Sequence, residues 1–214
     1  MSTDLDPSTT RIRFVIEFHS TFRVGAAYPN DGIDLTYDEV EPLPGDHLKG
    51  IMRAEAANLA SALKLPTHLV DQTFGTTGAE SAWSWFSAEA VWEKPFLRHR
   101  VAINDETHAA RQDHLVAATS TVAARVSGRD EGTSRRKATF LVERVPSAAD
   151  TPDAVQREAA LIRLAGRSIH HLGGWRRRGY GWVGVTVEAG PDADAEESVR
   201  AELEILTAVA EEVL

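Results

Sequence analysis

Leu172-Gly173-Gly174-Trp175-Arg176-Arg177-Arg178-Gly179-Tyr180-Gly181-Trp182-Val183-Gly184-Val185 sets three consecutive arginines in a glycine-rich turn flanked by three aromatic residues. A helix-like run that includes His170 and His171 leads in, and the alternating segment Tyr180 to Val187 leads out as a strand. Glycine lets the backbone approach a ligand closely or take positive φ. Arginine forks match phosphate oxygens two at a time, and aromatic faces stack on bases. The stretch therefore reads as a loop that holds a nucleic-acid backbone through Gly173, Gly174, Arg176, Arg177, Arg178, Gly179, Tyr180 and Gly181. The competing reading is a tight helix-to-strand connection whose arginines are solvated.

The rest of the chain bounds that reading. At 214 residues it can bury a sizeable core, and 43% hydrophobic with 26% charged residues is the balance of an ordinary globular protein. No apolar run is long enough to cross a bilayer. Met1 to Thr10 is polar, with Asp4 and Asp6, and is expected to be a disordered lead-in rather than a secretory signal. With no cysteine there are no disulfides and no thiolate metal sites, which fits a cytoplasmic location. A net charge of −9 argues against indiscriminate nucleic-acid binding. The charge is uneven, however. Acids gather at both ends and between Asp31 and Glu41, whereas bases cluster at Arg135 to Lys137 and Arg176 to Arg178.

Taken in order, Arg11 to Phe18 alternates Ile12, Phe14, Ile16 and Phe18 against Arg11, Arg13 and Glu17, the pattern of a half-buried strand. Ser20 to Pro44 reads as a long loop rich in Gly, Pro, Asn and Asp, and loops of that length tend to be functional or disordered. The stretch Leu43 to Arg53 opens a predicted helix running to about Leu65, capped by Asp46, with Leu48, Met52, Leu59 and Leu63 as its apolar stripe. Lys49 and Arg53 lie four apart on one face of its first turns. Cations gain nothing from the dipole there, so the pair makes sense for a bound anion, or else as solvated charge.

Pro66 is expected to stop this helix, and Phe74 to Gly78 to form a turn. Ala82 to Trp92 reads as a strand whose Trp83, Trp85 and Trp92 serve packing more readily than base stacking. His99 to Asn104 and Leu115 to Val126 are further extended candidates, Ser127 to Lys137 a charged hairpin or flexible excursion, and Thr139 to Val145 its returning strand. Thr151-Pro152 opens a second helix with Val155, Ala159, Ile162, Ala165 and Ile169 on one face. Asp192 to Leu214 is an acidic amphipathic helix, read as a docking tail. The order strand, helix, strand, strand, helix, strand is the split βαβ plan. The expected class is α+β, a ferredoxin-like (βαββαβ, RRM-like) domain over 11–190 with insertions at about 20–44 and 104–150, followed by the helix of 191–214.

Four stretches in this order resemble the repeat-associated mysterious protein (RAMP) superfamily of CRISPR systems, in particular its Cas7-like backbone subunits. They are Leu43-Pro44-Gly45-Asp46-His47-Leu48-Lys49-Gly50-Ile51-Met52-Arg53, Phe74-Gly75 with the following Trp85-Phe86-Ser87-Ala88, Arg100 to Ala110, and the glycine-rich loop. Asp46-His47 stands where the family carries serines. The resemblance implies an RNA-binding palm with an inserted thumb hairpin, stacked in several copies along a guide RNA (crRNA) with other Cas subunits in a type III-like effector. It assigns RNA contacts to Lys49, Arg53 and the arginine loop. It also implies a catalytic aspartate in the loop after the first strand; Gly32-Ile33-Asp34 falls there, so Asp34 is the expected residue, with Asp31 and Asp38 as neighbours. Target RNA would be cut with Mg²⁺ or another divalent ion, or by the carboxylate directly. His19 and His47 are acid/base candidates, and His170-His171 lacks metal-ligand spacing. The alternatives are a purely structural RNA-binding subunit and a stand-alone guide-processing endonuclease; the latter usually has two ferredoxin-like domains, and this chain has residues for one.

Overall fold

The computed structural model describes residues 7–25, 37–127, 134–148, 150–188 and 194–211. Strand β1 (Arg11–Phe18) is central, and its alternation does what the sequence dictates. Ile12, Phe14, Ile16 and Phe18 are buried, while Arg11 and Arg13 are exposed on the opposite face. β1 pairs antiparallel with β6 (Ser134–Arg144) on one side and with β7 (Val183–Val187) on the other. β2 (Trp83–Trp85) pairs with the far edge of β6, giving the order β2-β6-β1-β7, and β5 (Arg125–Ser127) also pairs with β6. β1 and β2 are thus parallel across β6, and β6 and β7 are parallel across β1. Helix α2 (Gly45–Leu63) lies in the first crossover and α4 (Pro152–Arg167) in the second.

Both helices cover the apolar face of β1. α4 comes close at Gly166, where a Cβ would enter the Phe14 ring, itself stacked on Phe140 at 4.7 Å. α4 starts as its sequence predicts, with Thr151 Oγ1 accepting from the Ala154 N–H, and buries Val155, Ala159, Ile162 and Ala165. α2 starts differently from the expectation. Pro44 is its N-cap and Asp46 makes no capping bond; the Gly45 N–H instead donates to Ser87 Oγ at 3.1 Å, across the crossover. Its buried stripe is Leu48, Met52, Ala56 and Ala60, with Leu59 and Leu63 at the margin. Small alanines there let α2 and α4 pack together. α2 ends on left-handed Lys64, and Pro66 opens a further helix, α3 (Thr67–Phe74), too short to show a helical period in the sequence.

The predicted Ala82–Trp92 strand shrinks to β2, after which the pairing continues as isolated bridges, Glu89 to Thr139 and Trp92 to Ala123. The Trp83 indole N–H donates to buried Glu158 Oε2 at 2.8 Å, Trp85 stacks on Phe74 at 5.2 Å, and Trp92 packs on Phe18 and Phe22. Glu158 is joined by Arg144, which also holds Asp150 at 2.7 Å. The inserted ribbon is a separate two-stranded sheet of β3 (Phe96–Ile103) and β4 (Ala110–Ser120), longer than its sequence signal. Pro7–Thr10, within the expected disordered lead-in, forms a helical turn, α1. The C-terminal helix α5 (Ala195–Glu211) is no free docking tail. It packs on α4 with Leu206 fully buried and Glu202 ion-paired to Arg167. Among the described residues no helix is long and apolar enough to cross a membrane.

Candidate nucleic-acid interface

The glycine-rich stretch is stitched to two other parts of the chain. Leu172 N–H donates to the Gly181 carbonyl, Gly181 N–H to the Thr21 carbonyl at 2.8 Å, and Gly174 N–H to the Arg23 carbonyl at 2.9 Å. Gly173 N–H donates to His47 Nε2 at 3.2 Å, tying the turn to the start of α2. Gly173 and Gly181 have φ of +71° and +74°, and a Cβ on either would run into the Arg23 or Leu172 carbonyl. These two glycines therefore serve backbone-to-backbone packing. Between them Arg176–Arg178 form one 3₁₀ turn, with all three side chains exposed.

Trp175, which opens the turn, is left-handed at φ 62° and ψ 27°. For a bulky residue this is an outlier that costs about 1–3 kcal/mol and survives only where surroundings impose it. Those surroundings are cationic. The Arg23 guanidinium lies over the Trp175 ring at 4.9 Å and Arg100 lies over it at 4.7 Å. Arg98 lies over Tyr180 at 6.0 Å, and Tyr180 meets Trp175 edge-on at 5.4 Å. Strand alternation explains this: Arg98 and Arg100 share one face of β3, which turns to the loop, while Leu97 and Val101 are exposed on the other.

Arginines without a carboxylate gather at this corner. Arg11, Arg13, Arg53, Arg135, Arg136, Arg144, Arg163, Arg167 and Arg200 each lie against a carboxylate. Among the described residues, Arg23, Arg98, Arg100, Arg176, Arg177 and Arg178 have none, as is also true of Arg111 and Arg125. Arg23 Nε is buried without a hydrogen-bond partner, and burial pushes that guanidinium below its ordinary pKa. His47 is pushed down too, by burial first and then by Arg176, consistent with a neutral ring accepting from Gly173.

A family model of the RAMP superfamily matches residues 15–184. The chain belongs to the RAMP superfamily. No curated protein matches this RAMP chain. Among solved structures it shares its fold with a chain of "Type III-B Cmr-beta Cryo-EM structure of the Apo state", at 10% identity and a TM-score of 0.60 over 85% of this chain and 98% of that one.

Within the RAMP domain the predicted binding residues separate into two groups. Gly173, Gly174, Arg176 to Arg178, Gly179 and Tyr180 share the loop just described, together with Gly181. The α2 pair is committed elsewhere, with Arg53 holding Asp71 of α3 at 2.9 Å and Lys49 over the Trp85 ring at 5.2 Å. Asp34 and Asp31 lie outside the described residues. Asp38 Oδ1 accepts from the Val40 and Glu41 N–H groups and so is used in a turn. The segments flanking the acidic loop are nevertheless anchored at the interface. Arg23 is bound to Gly174, and the Tyr37 hydroxyl is bonded to Thr121, which pairs with Phe22. Arg23, Arg98, Arg100, the left-handed backbone of Trp175 and the structural use of His47 are additions of the fold to the site read from the sequence. The signal for Arg98 and Arg100 was present in the strand alternation; Arg23 and His47 are legible only in three dimensions. Among the described residues, no group of three or more His, Asp or Glu could hold a metal ion.

Proposed function

We propose that this RAMP chain is a guide-RNA-binding backbone subunit of a type III-like CRISPR ribonucleoprotein, assembled in the cytoplasm with other Cas subunits and with further copies of itself along the guide. On this reading the four-stranded unit is a ferredoxin-like palm and the β3–β4 ribbon its thumb. The observation that carries the reading is the corner of arginines without carboxylates around the glycine-rich turn. A subunit that holds guides of any sequence must grip the backbone, and phosphates supply the anions this corner lacks. The acidic remainder explains how such a subunit avoids indiscriminate binding and leaves partner subunits to complete the groove. The test is the salt dependence of binding to a single-stranded RNA oligomer. Replacing Arg176, Arg177 and Arg178 together by Gln should flatten the log–log slope by about two, at roughly 0.7 per lost phosphate contact. An unchanged slope would refute the reading.

We also propose that Asp34 cuts the target strand. Its carboxylate would take the proton of a target 2′-hydroxyl, whose oxygen bonds the adjacent phosphorus as the P–O5′ bond breaks. The leaving oxygen takes up a proton, giving a 2′,3′-cyclic phosphate and a free 5′-hydroxyl. Support comes from the anchoring of both flanking segments beside the arginine corner. The resemblance implies a divalent ion such as Mg²⁺; among the described residues no group of three or more His, Asp or Glu could hold one. No step is therefore routed through a metal. The second reading is a non-catalytic structural subunit, and the Asp34→Ala variant in the assembled complex separates the two.

A further inference from the structure

Three chain segments meet at one indole ring. Arg23 follows β1, Arg100 comes from the ribbon, and Trp175 opens the arginine turn. Both guanidiniums lie over the ring, at 4.9 and 4.7 Å, and neither has a carboxylate among the described residues. Two like charges beside one ring repel unless an anion joins them, and a half-buried one without a counter-charge is costly. A protein with 32 acidic residues against 23 basic ones has no shortage of carboxylates to put there. A guanidinium stacked by its face on an aromatic ring keeps its edge N–H donors for other partners. The ring also sits in a strained left-handed backbone conformation, which the hydrogen bonds of Gly173 and Gly174 to His47 and Arg23 help to maintain.

We infer that Arg23 and Arg100, held over the Trp175 ring, form a phosphate fork for a single-stranded nucleic-acid backbone, extending the binding surface from the arginine turn onto the ribbon. The inference rests on the RNA-binding reading above but adds residues and a role to it. Arg23 and Arg100 contact phosphate. Trp175 is a positioning residue that presents their edges. Because the fork spans palm and ribbon, an occupied phosphate also fixes the angle between them.

The test uses the full-length protein, a fluorescein-labelled 12-nucleotide oligouridylate, its oligodeoxythymidylate counterpart and a 12-base-pair RNA duplex, at several salt concentrations. Arg100→Gln should weaken oligouridylate binding about 5- to 20-fold and lower the salt slope by about 0.7, the value for one phosphate on a single strand. Arg13→Gln, on the open sheet face and paired with Glu188, should do neither. Trp175→Ala should match Arg100→Gln, and Trp175→Phe, which keeps a ring, should restore most of the affinity; a residue with a merely structural role would not show that rescue together with a changed slope. The deoxy oligomer should respond to Arg100→Gln by the same factor, since phosphate is what the fork reads, and the duplex by less than twofold. Arg23→Gln is the second fork variant, and Arg100→Gln keeps the test decisive if Arg23→Gln misfolds, because the ribbon lies outside the main sheet. Wild-type binding with unchanged affinity and slope in Arg100→Gln overturns the fork alone. An equal loss on the duplex overturns it as a single-strand site. Absence of oligouridylate binding by the wild-type protein overturns both the fork and the reading it rests on.

Discussion

Substituting alanine at Gly173 and at Gly179 separates two costs that the glycine-rich turn combines. Both residues have positive φ, +71° and +79°. At Gly179 a Cβ would find nothing within 4 Å, so Gly179→Ala meets only the left-handed penalty of about 1–2 kcal/mol. About 0.4–1 kcal/mol of that is returned by the stiffer unfolded chain, leaving a net loss near 1 kcal/mol. At Gly173 the same Cβ collides with the Arg23 carbonyl, a backbone atom that no rotamer change moves. Relief requires moving Gly173 away from Arg23, which breaks the Gly174-to-Arg23 and Gly173-to-His47 bonds. Two hydrogen bonds at a net 0.5–1.5 kcal/mol each add about 2 kcal/mol, so Gly173→Ala should lose roughly 3 kcal/mol. Equilibrium urea unfolding, followed by tryptophan fluorescence, measures both. For a chain of this size the 2 kcal/mol gap corresponds to about 4–8 °C in Tm. Loss in the two variants within 0.5 kcal/mol of each other would refute the stitched geometry of the turn.

Other consequences are as direct. Arg144→Met strands buried Glu158 and Asp150 and should cost about 3–5 kcal/mol in urea unfolding, with Arg144→Met/Glu158→Met recovering part of it; a loss under 1 kcal/mol would contradict the buried triad. The side-chain hydrogen bond from Arg144 holds the Asp150 carboxyl below its ordinary pKa, so its contribution is full above about pH 4 and lost as pH falls further. Asp150→Asn should remove that acid-limb slope. The lowered pKa of His47 means that the unfolded chain binds the proton more readily, so stability is full above about pH 6.5 and declines as pH drops through that value. His47→Gln should flatten this limb, and a pH 5–7 stability profile identical to wild type would contradict the Gly173 bond. Asp34→Ala should abolish target cleavage by the assembled complex while leaving guide binding intact; full cleavage would leave the structural-subunit reading.

How far the fold could be read depended on whether the information was local. β1 was legible because period-2 alternation reports one buried face, and α4 because Thr151-Pro152 and a continuous apolar stripe agree. α2 is legible but its start is not: Asp46 reads as a local cap, whereas the helix begins after Pro44 with the Gly45 N–H held by Ser87, forty-two residues away. α3 was missed because eight residues do not display a period, and β2 was overextended because tryptophans that fill the core look like strand residues. At the interface, the arginine turn announced itself by composition. The roles of its neighbours did not: Arg23 and His47 look ordinary in sequence and join the loop only through folding, and the placing of Lys49 over Trp85 and of Arg53 against Asp71 is not visible in sequence either. The split comes from long-range contacts, which sequence patterning does not encode.

On the proposed function, this RAMP chain holds a guide RNA. The most direct measurement is to co-express it with the products of neighbouring genes, purify the assembly through this chain, and extract and sequence any bound nucleic acid. The account predicts a discrete set of short RNAs sharing a repeat-derived end, depleted when Arg176, Arg177 and Arg178 are replaced by Gln. A stable assembly with a clean protein absorbance ratio and no RNA would contradict it.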